Sequence, residues 1–450
     1  MIISDQVTYK KFRTLLLIAV GLGAFTDLFD TVIVGGGSAS YIHTFHLSSP
    51  QFGLFAAMTF IGGAIGAISF GPISDRIGRR RTFFITLVIF IIGEILTASS
   101  VNYLESIIFR MIVGFGIGSD YPPAISMLSE YLDPETRGKY LVNFWIIFGI
   151  GGLASYFVAF LLLPLGLLQW RVLFLVGAVP PAIGLLFRIR LPESYRWMYS
   201  KGNIEGAKNS LARTGLEPES TISLMSMDKG NKVKKKLLLF RPYIAYVLIP
   251  LFIITFLLNV PLSGFASLSP LLLSTLHVPT ADTLIFSALA FQGTETLGAV
   301  IAFPLFNKLG RWRMLLIGSI VTGVSVILMG FFAHPSDIVY LLIFLSLAGV
   351  FSYFYVPVIY SAATELYPTS IRGTGEGINI FAVRTAGIMG TFGGTYFLVT
   401  IGLSKMLYLY GILAIISFLI ALVWIGKRVE TANKELEDVS NSFLTSDKGR

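Results

Sequence analysis

Stretches of about twenty apolar residues follow one another along most of this 450-residue chain. Wound at about 1.5 Å per residue, each such stretch can cross a bilayer as a helix. Hydrophobic residues make up 54% of the sequence and charged residues 13%. Mean hydropathy is +0.76. That leaves too little polar surface for a soluble globule. The stretches number twelve: 14–40, 51–73, 83–101, 105–131, 139–164 and 171–190 in the first half, then 242–270, 282–306, 313–333, 337–363, 372–400 and 403–426.

The two halves echo each other. Ser129-Glu130-Tyr131-Leu132-Asp133-Pro134-Glu135-Thr136-Arg137-Gly138 returns as Thr364-Glu365-Leu366-Tyr367-Pro368-Thr369-Ser370-Ile371-Arg372-Gly373, an offset of 235 residues from Glu130 to Glu365. Half-chain self-similarity in so apolar a chain marks a transporter whose two repeats rock about a shared central site. The fold expected is therefore an all-α membrane protein, twelve transmembrane helices in two pseudo-symmetric six-helix bundles. Residues 1–190 form the first bundle, 191–240 a cytoplasmic linker with a short surface helix near Glu205–Ala212, 241–426 the second bundle and 427–450 a cytoplasmic tail.

The net charge of +9 reports cytoplasmic loops rather than nucleic-acid binding. Arg76, Arg79, Arg80 and Arg81 lie between spans two and three, and Lys232, Lys234, Lys235 and Lys236 lie in the linker. Together with Lys10, Lys11 and Arg13, which lead straight into a full-length span without a cleavable leader, they place both termini inside a plasma membrane. There are no cysteines, which removes disulfides, thiol catalysis and cysteine metal sites. With four His and no nucleophile elbow or phosphate loop, the pattern is not that of an enzyme, and no metal or cofactor is expected beyond protons as coupling ion.

Gly71-Pro72-Ile73-Ser74-Asp75-Arg76-Ile77-Gly78-Arg79-Arg80 resembles the signature loop of the major facilitator superfamily, a tight glycine turn with a carboxylate and guanidinium groups at a helix end. The same charges also serve topology alone. The second copy, Asn307-Lys308-Leu309-Gly310-Arg311, has Asn in place of Asp. Arg110-Met111-Ile112-Val113-Gly114-Phe115-Gly116-Ile117-Gly118 resembles the superfamily's glycine-rich fourth-span element, and Pro192-Glu193-Ser194-Tyr195-Arg196-Trp197 resembles the element after span six of sugar-porter-like members. Phe25-Thr26-Asp27-Leu28-Phe29-Asp30 and Gly118-Ser119-Asp120-Tyr121-Pro122 are similar to the corresponding segments of proton–phosphate symporters. That likeness fails at the substrate side. The family's span-five glutamine falls on Phe148, its span-seven Trp, Asp and Tyr fall near Thr255, Asn259 and Ser263, and its span-ten Asn falls near Val356. The paired span-seven glutamines of sugar porters meet Val260-Pro261-Leu262-Ser263-Gly264 instead. Organic-acid porters stay open.

Charges within spans are costly and point to function. Depth along the helices puts Arg110 within reach of Asp30, a pair that the sugar-porter likeness also implies for proton coupling. Asp27 and Asp120 fall near each other at mid-depth, two like charges of which one would hold a proton near working pH. Structural ion pairs are the plainer alternative. Arg384 and Glu295 lie at similar depth: either they pair as a bridge, or Arg384 attracts an anionic substrate. Glu94 faces another helix and receives no role. Glu130 and Glu365, beside Arg137 and Arg372, read with Asp75, Arg76, Arg79 and Arg80 as a cytoplasmic gate. The central cavity would draw on Tyr121, Asn143, Asn259, Ser263, Gln292, Tyr353, Tyr355 and Asn379.

The function these readings imply is proton-coupled symport of a small polar metabolite, an anion such as phosphate or an organic acid, by a carrier working as a monomer. A sugar or polyol porter is the alternative within transport, and a non-transporting nutrient receptor the alternative outside it.

Overall fold

In the computed structural model, residues 3–131, 134–219, 221–222, 242–365 and 372–425 are described. The twelve expected spans are present as α1 (Gln6–Gly36), α2 (Ser49–Ile77), α3 (Arg79–Ser99), α4 (Tyr103–Tyr131), α5 (Pro134–Leu161), α6 (Leu163–Arg188), α7 (Pro242–Ser274), α8 (280–308), α9 (Arg311–Phe331), α10 (Ile338–Glu365), α11 (372–401) and α12 (403–425). Ten helices of the described residues are long and apolar enough to cross a membrane. The arrangement is the all-α, twelve-helix major facilitator fold. Its lipid-facing belt shows in exposed apolar side chains such as Ile65, Ile92, Leu175, Leu297 and Val423.

The glycine-rich element of α4 explains its own packing. A methyl on Gly116 would sit 2.8 Å from the Phe90 backbone nitrogen of α3, and one on Gly118 would sit 2.5 Å from Gly63 Cα of α2. Only hydrogens fit there, so three helices meet backbone to backbone. Regular winding breaks where the second half needs it. Proline interrupts α7 at Pro250, Pro261 and Pro270. Wide π-type turns interrupt α8 at Ser287–Gly293 and α11 at Met389–Gly393. Such turns collect at functional positions because they re-aim the side chains beyond them.

The expected surface helix of the linker is there, as Ile204–Thr214, with Asn203 at its N-cap and Gly215 in the left-handed conformation at its end. It is tied to the chain's beginning: the Ser4 amide donates to Gly215 O at 2.9 Å, and Ser210 donates to Glu193 O at 2.6 Å. The 427–450 tail lies outside the described residues.

Between the halves, contact is tight at the end that carries the 37–48 and 275–279 connections. Tyr156 of α5 donates to Ala266 O of α7 at 2.8 Å and meets Ser269 Oγ at 2.9 Å. A methyl on Gly35 of α1 would lie 2.6 Å from Ser267 O. That end is shut.

Candidate functional site

Among the described residues, three buried arginines pair with aspartates, Arg110 with Asp30, Arg188 with Asp120 and Arg384 with Asp27, and the last pair crosses between the halves. Asp30 and Arg110 meet as the sequence suggests. Arg110 Nη1 and Nη2 donate to Asp30 Oδ1 and Oδ2 at 2.7 and 2.8 Å, and both residues are fully buried. Glu94 of α3 joins them, with its Oε1 3.5 Å from Arg110 Nη1. Neither Glu94 oxygen has a hydrogen-bond partner. One guanidinium thus faces two carboxyl groups within walls of Phe55 and Phe174, whose rings lie 5.8 and 5.0 Å from the Arg110 carbon. From the sequence alone Glu94 has no assigned role. Its position on α3, a span away from the central cavity, hid its approach to Arg110.

Asp27 and Asp120 do not form the expected like-charge pair. Asp120 is held by Arg188 of α6, whose Nη2 donates to Asp120 Oδ2 at 2.7 Å and whose Nη1 meets Oδ1 closely. Thr86 donates to the same carboxylate at 3.0 Å, and Arg188 Nε donates to Ala19 O at 3.1 Å. Arg188 escaped sequence reading because it stands at the inner edge of its span, where a basic residue looks like a topology signal. Its one hint is its place in the otherwise apolar run Ile183–Ile189.

Asp27 turns instead to the second half. Arg384 of α11 lays its stem along Gly63 of α2, where a methyl would stand 3.0 Å from Arg384 Cδ. Its Nη1 and Nη2 reach Asp27 Oδ1 and Oδ2 at 3.2 and 3.0 Å. The expected Arg384–Glu295 bridge is therefore replaced by a bridge between α1 and α11. The two residues are each 4% exposed, and Glu295 is 2% exposed.

These three side chains line a cavity of about 60 Å³ between the halves, enough for a few waters. The first half contributes Asp27, Thr31, Phe60, Trp145 and Phe148; the second contributes Asn259, Ser263, Glu295, Tyr353, Tyr360 and Arg384. Trp145 packs across the boundary against Tyr360, centroids 4.6 Å apart, and against Tyr353 at 6.5 Å. Of the residues expected here, Asn259, Ser263, Tyr353 and Arg384 reach the cavity. Asn143, Gln292, Tyr355 and Asn379 are not among its lining residues. Asn143 is exposed. Asn379 is tied to Thr255 at 2.9 Å and to Ile359 O at 3.4 Å. Tyr355 donates to Leu258 O at 3.5 Å. Gln292 is buried against Gly152 of α5, with both amide atoms unpartnered. The side chain of Tyr121 lies outside the described residues.

At the opposite end from the shut one, the signature loop acts through a partner that sequence reading did not supply. Gly78 has φ +103° and ψ 158°, a region essentially reserved for glycine. It exposes the first amides of α3 to Glu193, which accepts from Arg79 N at 2.8 Å and Arg80 N at 3.1 Å. A carboxylate on a helix N-terminus is well placed electrostatically. Arg80 Nη2 adds a bond to Ile189 O at 2.5 Å. Arg76 is exposed, and the side chains of Asp75, Glu130, Arg137, Glu365 and Arg372 lie outside the described residues.

Residues 17–443 match the model of the sugar (and other) transporter family; the chain belongs to that family and is a secondary transporter of the major facilitator type. It is 26% identical to a niacin transporter of Acinetobacter baylyi, over 97% of this chain and 98% of that one. It is also 26% identical to the arabinose-proton symporter of Bacillus subtilis, covering 96% and 95%. In fold it resembles an E. coli proton:xylose symporter bound to 6-bromo-6-deoxy-D-glucose, with a TM-score of 0.81, 23% identity and coverage of 96% and 99%. These relatives carry small molecules through membranes and are not enzymes. The chain is accordingly a multi-pass membrane protein.

Proposed function

We propose that this protein is a proton-coupled symporter of a small aromatic carboxylate, taken up by alternating access with both termini on the cytoplasmic side. The observation that carries the reading is Arg384. It stands in the central cavity, is walled by Trp145, Phe148, Phe60, Tyr353 and Tyr360, and forms a two-pronged ion pair with Asp27 of the opposite half. Halves that rock must break that bond, whereas Asp30–Arg110 and Asp120–Arg188 stay within one half. A substrate carboxylate gives Arg384 a replacement partner in the geometry of Asp27, a fork on two oxygens. Flat aromatic walls suit a ring. A niacin transporter among the relatives agrees with such a substrate.

Coupling has two supports. Protonated Asp27 releases Arg384 to the substrate, so proton and anion enter together. Asp30, Glu94 and Arg110 form a sealed cluster of two acids and one base, in which a bound proton balances the charge. Protons are the coupling ion in the arabinose-proton symporter that is also a relative.

A second reading, transport of a pentose or hexose, draws on Asn259, Ser263 and Thr31 in the cavity as hydroxyl partners. Uptake into proteoliposomes decides between the two. With an acid-outside gradient, labelled pyridine-3-carboxylate is expected to accumulate and D-xylose to stay at equilibrium. The reverse pattern overturns the carboxylate reading, and accumulation indifferent to the gradient overturns the coupling.

A further inference from the structure

We infer that the transported molecule carries a basic nitrogen as well as its carboxylate, and that Glu295 receives this nitrogen in the central cavity. The inference rests on the carboxylate reading above and refines it.

Glu295 is the unused group of the site. It lines the cavity while 2% exposed, and among the described residues it has neither an ion pair nor a hydrogen bond. The hydroxyl of Tyr353, on the same cavity, is likewise buried without a partner. Native interiors satisfy their polar groups, so a cavity-facing carboxyl left alone marks where a ligand atom belongs. The local winding explains its direction. The π-type turn Ser287–Gly293 ends two residues earlier, and Gly298 and Gly349 bring α8 against α10 so closely that a methyl on Gly298 would sit 2.9 Å from Val350 Cα and one on Gly349 3.1 Å from Phe291 O.

Charge chooses the ligand atom. The cavity holds two acids, Asp27 and Glu295, and one base, Arg384. A substrate carboxylate on Arg384 adds a third acid. A hydroxyl opposite Glu295 brings no charge and leaves any neutralising proton to Glu295 alone, whereas a nitrogen base carries a proton in with the substrate or shares the one on the carboxyl group. The proton can sit on either partner: a protonated nitrogen donates to the carboxylate, or a carboxyl O–H donates to the nitrogen lone pair. Both states place one proton between the same two atoms, so Glu295 fits a nitrogen in each. Trp145 and Tyr360 line the same cavity, and aromatic walls suit a flat ring that joins the two polar ends. The class defined is a small aromatic acid with a ring nitrogen.

Binding to the purified full-length protein tests this with pyridine-3-carboxylate, benzoate and D-xylose, read by calorimetry and thermal shift. Benzoate has the ring and the carboxylate but no nitrogen. Wild-type protein is expected to bind pyridine-3-carboxylate at least tenfold more tightly than benzoate. Glu295→Leu is expected to bring the two within about twofold, since a leucine fills the space without a polar atom. Equal binding of the two acids by wild-type protein overturns the inference and leaves the carboxylate reading standing. So does a preference that survives in Glu295→Leu. Binding of xylose with neither acid bound overturns the carboxylate reading itself. The wild-type comparison decides the matter even where the variant fails to fold.

Discussion

Arg384 of α11 and Asp27 of α1 form a two-pronged ion pair across the boundary between the halves, with both side chains buried and both facing the cavity. A buried pair is no guarantee of stability, but breaking one by removing a single partner strands a charge. Asp27→Asn and Arg384→Gln are each expected to lower stability by about 3–5 kcal/mol, and the double variant is expected to recover most of it. The substrate separates them. Arg384→Gln is expected to weaken carboxylate binding by about 1.5–3 kcal/mol, the size of a charge-assisted hydrogen bond, while Asp27→Asn keeps or tightens it because the competitor is gone. Thermal unfolding and calorimetry on the three variants measure both. Equal loss of binding in the two single variants would show the pair to be scaffold.

Asp30→Asn is expected to abolish proton-driven accumulation while leaving substrate exchange intact. The neighbouring Glu94 makes the prediction sharper. In Asp30→Asn, Arg110 still has a carboxylate within 3.5 Å, so the protein should fold. In the double variant Asp30→Asn/Glu94→Gln, Arg110 loses both partners. Its destabilisation should exceed the sum of the single variants by about 1–3 kcal/mol. Concentrative uptake by Asp30→Asn, or plain additivity in the double variant, would remove the cluster from coupling.

The contrast between these pairs shows what the sequence disclosed. Asp30–Arg110 was legible because both residues sit in regular helices of known direction, so depth alone brings them together. Depth says nothing of azimuth. Asp27 and Asp120 share a level but face different neighbours, Arg384 and Arg188. Arg384 and Glu295 share a level but sit on helices rewound by π-type turns, which sequence periodicity does not register. The twelve helices were legible from apolar run length. The cavity list was legible only in part, because a polar residue in a span binds another helix as readily as a substrate: Asn379 and Tyr355 are spent that way. Glu193 could be seen as part of a motif but not as a cap on a helix that begins 114 residues earlier in the chain.

Asp120 and Arg188 lie within the first half, in contact with α1 and α3. They are expected to act on stability and leave selectivity untouched. Arg188→Leu should destabilise by about 3–5 kcal/mol, by leaving Asp120 buried without its cation. The ratio of carboxylate to sugar binding in the surviving protein should equal that of wild type. A changed ratio would bring this pair into the substrate site.

Orientation is open to labelling, since the chain has no native cysteine. Ser49 begins α2 at the shut end, and Ser200 ends the short helix Tyr195–Ser200 at the opposite end. With cysteines at these two positions, an impermeant thiol reagent on intact cells is expected to label position 49 and spare 200. Labelling of 200 alone would invert the topology.

The last prediction concerns Gly78, whose backbone conformation and surroundings make separable demands. Gly402 shares the conformation, with φ +85° and ψ 165°, but has nothing within 4 Å of an added methyl. Gly402→Ala should therefore cost only backbone strain, about 1–3 kcal/mol. Gly78→Ala should cost the same strain and more, because its methyl would stand 2.5 Å from Glu193 Oε2 and push that carboxylate off the first amides of α3. Losing such a cap costs about 0.5–2 kcal/mol. Glu193→Ala alone should show the cap's share, and the Gly78→Ala/Glu193→Ala double variant should be no worse than the sum of strain and cap. Thermal unfolding of the four variants tests the partition. If Gly78→Ala is no more destabilising than Gly402→Ala, Glu193 is not held where the geometry puts it, and the signature loop keeps its glycine for conformation alone.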